Sequence, residues 1–249
     1  MVKTYHKLQQ WNHWLTQYPG TSVLEAEQKL ISSLLSKINV NNILVIGVPE
    51  QYKLIKGIPA KNKVVLSPLI NKHKAIKYIE CGFAELSILP GSMDAVIIPH
   101  TLELIDTGRN LITEACRSVK PGGDIIIFGF NLFSLWGVKK WWEKNEGVPW
   151  SGHFLMPGQI MQWLDLEDFQ FFRKDMIMFR SPFGKQKAQD KFSALEWLGF
   201  KTNAFYGGIY SLNAKANVVP LTPIKFHWEQ TLSRLSATIP GPTVVREIQ

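Results

Sequence analysis

Residues 89–131 read LPGSMDAVIIPHTLELIDTGRNLITEACRSVKPGGDIIIFGFN, and this block decides the fold. Met93–Pro99 and Asp124–Phe130 are apolar runs of strand length, bounded by turn residues. Between them, the spacing predicts a helix from about 108 to 119. It is closed by Lys120-Pro121-Gly122-Gly123, a cation followed by a helix-stopping turn. Short, wholly apolar strands joined by a helix describe parallel strands covered on both faces.

The same alternation continues on either side. Upstream, NNILVIGVPE (Asn41–Glu50) contains the apolar strand Ile43–Ile46 running into Gly47, and KVVLSP near 63–68 gives a second strand. NKHKAIKYIEC reads as a polar-faced helix ending at Gly82, and FAELSILP as a further short strand with its exit loop. Before the first strand, Leu24, Leu30, Ile31, Leu34, Leu35 and Ile38 recur at helical intervals. Ser22 and Glu25 there have capping-box spacing. Residues 1–20 form an aromatic arm, a short helix ended by Pro19-Gly20. Downstream, 132–145 and MPGQIMQWLDLEDF read as helices, FFRKDMIMF as a strand and KFSALEWLGF as a short helix. A last strand falls within 205–218. Residues 222–249, with three prolines and little periodicity, read as a basic tail.

Composition narrows the function classes. The 249 residues carry 45% hydrophobic and 19% charged residues, enough for one large core. The formal charge of +8 favours acidic partners. The basic residues are scattered and match no nucleic-acid module, so nucleic acid is disfavoured. Two cysteines make no disulfide framework and suit a reduced, cytoplasmic setting. The longest apolar window, Ile125–Val138, is broken by Asn131 and Ser134 and falls short of the roughly 20 residues of a membrane span. No Cys/His spacing marks a metal centre, and neither a P-loop nor a nucleophile elbow is present.

The central block resembles the class I S-adenosylmethionine-dependent methyltransferases, especially the type-11 group. The residues that carry the resemblance are Leu89-Pro90, Asp94 opening the strand, His100-Thr101-Leu102-Glu103, Glu114, Arg117 and Pro121-Gly122-Gly123. The core of the resemblance covers about 22–131. GFNLFSLWGVKK and NVVPLTPIK look similar to a small bacterial branch of that superfamily and extend it to about 225. The resemblance implies a three-layer, Rossmann-like α/β fold whose mostly parallel seven-stranded sheet has its last strand antiparallel, beside the fifth. One domain would then span 1–221, with a helical arm (1–40) and an aromatic lid (132–165), followed by the tail 222–249.

It also implies S-adenosylmethionine across the carboxyl ends of the first strands. Gly47, Ser67, Glu85, Leu86 and His100 occupy the cofactor positions, with Glu85 at the place that addresses the adenine amino group. The pattern departs in the first loop. The family's acidic residue and three glycines correspond here to Val45, Gly47, Pro49 and Gln51, and the ribose carboxylate after the second strand corresponds to Ser67 or a neighbour in Leu66-Ser67-Pro68. Pro49 removes an N–H donor and stiffens the loop. A cofactor loop and a purely structural strand–turn–helix are both open readings.

Asp94 is expected to define the fold, and Glu103 to lie on a surface turn. His100 leaves its strand at the sheet's carboxyl edge. It fits either a general base at the methyl-transfer site or a histidine packed at a strand end. Asn131, Phe133, Trp136 and His153 are the substrate-binding candidates, with His153 the second choice of base. Asn131 in so apolar a setting must have a definite partner, either substrate or loop backbone. The aromatic set Phe130, Phe133, Trp136, Trp141, Trp142 and Trp150 suits an aromatic, lipid-like or acidic small substrate. It equally suits a partner helix or ordinary core, and self-association stays open. The leading functional reading is an enzyme that transfers a methyl group in line from S-adenosylmethionine to a small molecule. The alternative is a catalytically inactive interaction or regulatory module on the same fold.

Overall fold

The computed structural model describes residues 2–36, 38–70, 77–142, 147–178 and 207–218. The chain divides into Met1–Val218 and Val219–Gln249. The second unit, with the expected tail, and the expected helix KFSALEWLGF lie outside the described residues.

Seven strands form one sheet in the order β3-β2-β1-β4-β5-β7-β6. They are β1 (Asn42–Ile46), β2 (Asn62–Ser67), β3 (Lys77–Glu80), β4 (Met93–Pro99), β5 (Val119–Phe130), β6 (Phe169–Ile177) and β7 (Ile209–Ala216). Pairing is parallel from β3 through β5 and antiparallel at β5–β7 and β7–β6. Val45 sits between Val65 of β2 and Ile97 of β4, and Ile97 aligns with Ile126 of β5. These central residues are essentially inaccessible. Continuous apolar runs form strands here because both faces are covered.

The helices are α1 (Val2–Trp14), α2 (Gly20–Leu35), α3 (Thr101–Leu104), α4 (Gly108–Ser118), α5 (Leu135–Trp142) and α6 (Pro157–Asp165). A 3-10 turn, Pro49–Ile55, follows β1 in place of a full helix. The expected Ser22 cap is not used: α2 begins at Gly20, with Pro19 at its N-cap and no side-chain cap bond. A Cβ at Gly20 would collide with the Trp14 carbonyl, so tight contact with the end of α1 sets this start.

Two further expectations are corrected. Lys77–Glu80, read as helical, is the edge strand β3, pairing Val64–Ser67 with Lys77–Glu80. FAELSILP is an irregular loop instead of a strand. Side chains of α4 hold that loop. Glu114 Oε2 accepts from the Leu86 N–H at 3.0 Å, and Arg117 donates to the Leu86 carbonyl at 3.2 Å. With its backbone groups satisfied in this way, the segment has no need of a strand neighbour.

Asp94 fastens the amino edge of the sheet. Its Oδ2 accepts from the N–H groups of Asn41 and Asn42 at 2.9 and 2.8 Å, and Lys120 donates to Oδ1 at 2.7 Å. Partial burial pushes its carboxyl up, but Lys120 and the two amides outweigh this and hold it below the usual range. Asp94→Ala should cost about 1–3 kcal/mol, measured by denaturant unfolding, because two backbone donors lose their acceptor.

Candidate functional site

The carboxyl ends of β1, β4 and β5 meet under α1 and α2, where the fold places a ligand crevice. The first loop there is filled from within. Gln51 is fully buried. Its Oε1 accepts from the Val48 N–H and its Nε2 donates to the Pro99 carbonyl, both at 2.8 Å. The amide thus closes half of a capping box on the 3-10 turn and ties β1 to β4. A Cβ at Gly47 would collide with Gln51 Oε1 and lie 3.3 Å from Thr101 Oγ1. The one glycine left in the loop makes room for glutamine, and Thr101 donates to the Ile46 carbonyl beside it at 2.7 Å.

Next to this plug sits a buried ionic group. His100 adopts a left-handed conformation (φ 58°) and is 1% exposed. Its Nε2 lies 2.7 Å from Glu27 Oε1 and its Nδ1 2.9 Å from Glu103 Oε2. Each ring nitrogen thus faces a carboxyl oxygen, an arrangement that favours the doubly protonated ring. Burial alone would push the His100 pKa down, but Glu27 and Glu103 outweigh it and raise it from 6.5 to about 9. Burial raises the Glu103 carboxyl, and the hydrogen bond from His100 draws it partly back. Glu103 Oε1 also accepts from the Phe130 N–H at 2.8 Å. Glu103 is therefore 3% exposed and not the surface residue its turn position predicts.

Aromatic rings roof the group. The His100 ring lies 4.2 Å from that of Phe130 and 5.4 Å from that of Trp11, centroid to centroid. Trp11 stacks on Trp14 at 4.9 Å, and Phe130 on Trp136 at 5.4 Å. Asn12 Oδ1 accepts from the Glu50 N–H at 2.9 Å, so α1 spans from the first loop to the end of β5. Among the described residues, Trp11 Nε1 and Glu27 Oε2 are buried without a hydrogen-bond partner.

The remaining sequence candidates are placed as follows. Ser67 is buried, its Oγ accepting from the Leu69 N–H at 3.2 Å. Leu86 is buried in the core, whereas Glu85 is exposed on the loop. Asn131 is buried. Its Nδ2 donates to the Gly207 carbonyl at 3.0 Å and its Oδ1 accepts from the Phe133 N–H, also at 3.0 Å. Trp136 is core at 1% exposure, while Phe133 is exposed. His153 contributes its N–H to the Glu103 carbonyl at 2.7 Å and leaves its side chain exposed. The structure thus brings Gly47, His100 and Trp136 into one neighbourhood. Asn131 and Phe133 line a separate cavity of about 370 Å³ with Met156, Gln159, Lys174 and Met176. Sequence reasoning marks Gln51 only as a departure from the family's loop glycines and does not name Trp11 and Glu27 as site residues. Of those two, only Glu27 left a signal, as a carboxylate three residues from Leu24 on the apolar stripe of α2. No cluster of metal-ligating side chains occurs among the described residues.

A mostly parallel seven-stranded sheet, antiparallel only where β7 enters between β5 and β6, defines the Rossmann-like class I methyltransferase fold. Residues 57–127 match the family model described as a methyltransferase domain, so fold and sequence agree on a type-11-like methyltransferase domain. No curated protein matches the sequence.

Solved structures share the fold at low identity. A SAM-dependent methyltransferase of Thermotoga maritima superposes with a TM-score of 0.61 at 16% identity, covering 84% of this chain and 99% of its own. The N-methyltransferase NodS of Bradyrhizobium japonicum, in complex with S-adenosylhomocysteine, gives 0.55 at 13%, covering 86% and 98%. The cyclase SpnF gives 0.52 at 12%, covering 77% and 80%.

The fold family implies S-adenosylmethionine, and the residues at its expected place do not fit it in this arrangement. The space beside Gly47 holds Gln51, whose Oε1 already takes the Val48 N–H, and Ser67 at the end of β2 brings a hydroxyl and no carboxylate.

Proposed function

We propose that this protein is a methyltransferase-fold module that acts by binding a partner, with its inherited cofactor crevice closed by its own side chains. The supporting observation is Gln51, fully buried with both amide atoms bonded across the β1 and β4 ends. Displacing it would break two buried hydrogen bonds, strand the Val48 N–H and leave the Pro99 carbonyl only the 3.3 Å contact from the Thr101 hydroxyl. His100, with both ring nitrogens engaged by Glu27 and Glu103 and its pKa pushed up to about 9, is poorly suited to act as a base near neutral pH. That SpnF, named a cyclase, shares the fold agrees with reading activity from the site and not from the sheet. With both cysteines free, a cytoplasmic setting completes this reading.

A second reading, in-line methyl transfer to a small molecule, is favoured by the match over residues 57–127 and by the unpartnered Trp11 Nε1 and Glu27 Oε2 beside His100. In that case α1 would lift from the crevice to admit the cofactor, and the cavity bearing Asn131 and Phe133 would offer the acceptor a place. Calorimetry on the full chain separates the two. We expect no heat with S-adenosylmethionine or S-adenosylhomocysteine at about 1 mM, equivalent to less than about 4 kcal/mol of binding. A dissociation constant below about 100 μM, tightened roughly tenfold by Gln51→Gly, would establish the second reading instead.

A further inference from the structure

Helix α5 is inverted relative to an ordinary surface helix. Apart from the buried Trp136, its apolar residues face outward: Leu135 and Val138 are each 52% exposed, Trp141 76% and Trp142 80%. Its cations turn toward the body of the protein. Lys139 Nζ lies 5.0 Å over the Trp150 ring. Lys140 Nζ lies 4.1 Å over Phe154 and donates to the Gly152 carbonyl. Leu132 and Phe133, just before the helix, are exposed as well. Scattered exposed apolar residues need no explanation, but a contiguous set on one helix face marks a binding surface.

We propose that this face docks on the surface of an anionic phospholipid bilayer, with Leu135, Val138, Trp141 and Trp142 entering the headgroup region. Three observations select lipid over another protein. The residue types are those of an interfacial helix, with tryptophans at its exposed end and aliphatic residues along its outer face. The exposed apolar set is six residues, whereas a standard protein interface uses roughly 20–30 residues a side. The surrounding charge is complementary to anionic headgroups. Trp14 of α1 meets Trp136 of α5 edge to face at 6.5 Å, and the adjoining α1 carries two lysines and two histidines with no aspartate or glutamate. No helix among the described residues is long and apolar enough to cross a membrane, so contact is at the surface. This gives the binding reading its partner. Because docking needs no cofactor, its outcome is independent of the calorimetry above.

The experiment is co-sedimentation of the full chain with vesicles of equal parts phosphatidylglycerol and phosphatidylcholine, and with phosphatidylcholine alone. Partition onto the mixed vesicles should be at least roughly tenfold stronger than onto the neutral ones. It should fall roughly tenfold or more in Trp141→Ser/Trp142→Ser, whose thermal unfolding should match the parent. Val138→Ser gives the same readout if the double variant does not fold. Absence of partition, or equal partition by these variants, overturns the proposal. So does a dimer in vesicle-free ultracentrifugation that Trp141→Ser/Trp142→Ser converts to monomer, which would assign the face to a second copy.

Discussion

His100→Ala should lower folding stability by about 3–5 kcal/mol, because it leaves two carboxylates facing each other in the interior with their shared cation removed. Glu27 and Glu103 are 0% and 3% exposed, so water cannot take over for the imidazolium. The loss should be partly reversed by adding Glu27→Gln and Glu103→Gln, which remove the stranded charge. Chemical denaturation of the four proteins at neutral pH checks this. Full loss without any such recovery would mean that the histidine matters by shape alone.

The same group fixes the alkaline limb of the stability profile. His100 titrates at about 9 in the folded protein against 6.5 when unperturbed, so the folded state holds its proton more tightly. Its stabilisation is therefore complete below about pH 6.5 and is lost as the pH rises through about 9. The stability of the parent chain should decline over that interval by an amount on the order of a few kcal/mol, and that of His100→Ala should not. A flat parent profile would show that the ring is neutral when folded.

Trp136→Ala should be comparably damaging, by about 3–5 kcal/mol. Trp136 stacks on Phe130 at 5.4 Å, meets Trp14 edge-on and tilts against Trp150 at 5.9 Å. A Cβ at Gly208 would collide with its ring, so the strand entering beside it is shaped to receive it. For a chain of this size the melting temperature should fall on the order of 10 °C. Trp141→Ala and Trp142→Ala, on the outer face of the same helix, should change stability by no more than about 0.5 kcal/mol. Equal effects at positions 136 and 141 would refute the division of α5 into a core face and a binding face.

The contrast shows what a sequence of this kind discloses. β1, β2, β4 and the Asp124–Phe130 part of β5 were legible because each is built on an apolar run. The turn read at Lys120-Pro121-Gly122-Gly123 is corrected: α4 ends at Ser118 and β5 already begins at Val119. Pro121-Gly122-Gly123 lies inside the strand, where its register against β4 shifts. The edge strand Lys77–Glu80 was not legible, since a four-residue strand exposed on one side has neither apolar continuity nor a helical period. The site was half legible. His100 could be found because it follows a strand, but its partners come from 73 residues away at Glu27 and from the far end of α1 at Trp11. Gln51 stood out as a departure from a loop glycine, but the sequence did not say what its side chain does. Its role comes from the proximity of Pro99, which only the folded sheet creates.

The antiparallel entry of β7 also orders events during synthesis. β5 ends at Phe130, but the strand that covers its free side begins about eighty residues later, at Ile209. At roughly 5–20 residues per second, the nascent chain carries a long apolar strand with an open edge for several seconds. That edge is a template for pairing with other chains until β7 arrives. Recovery of soluble protein should therefore depend on translation speed and on chaperones that shield strands, more than on the stability of the finished sheet.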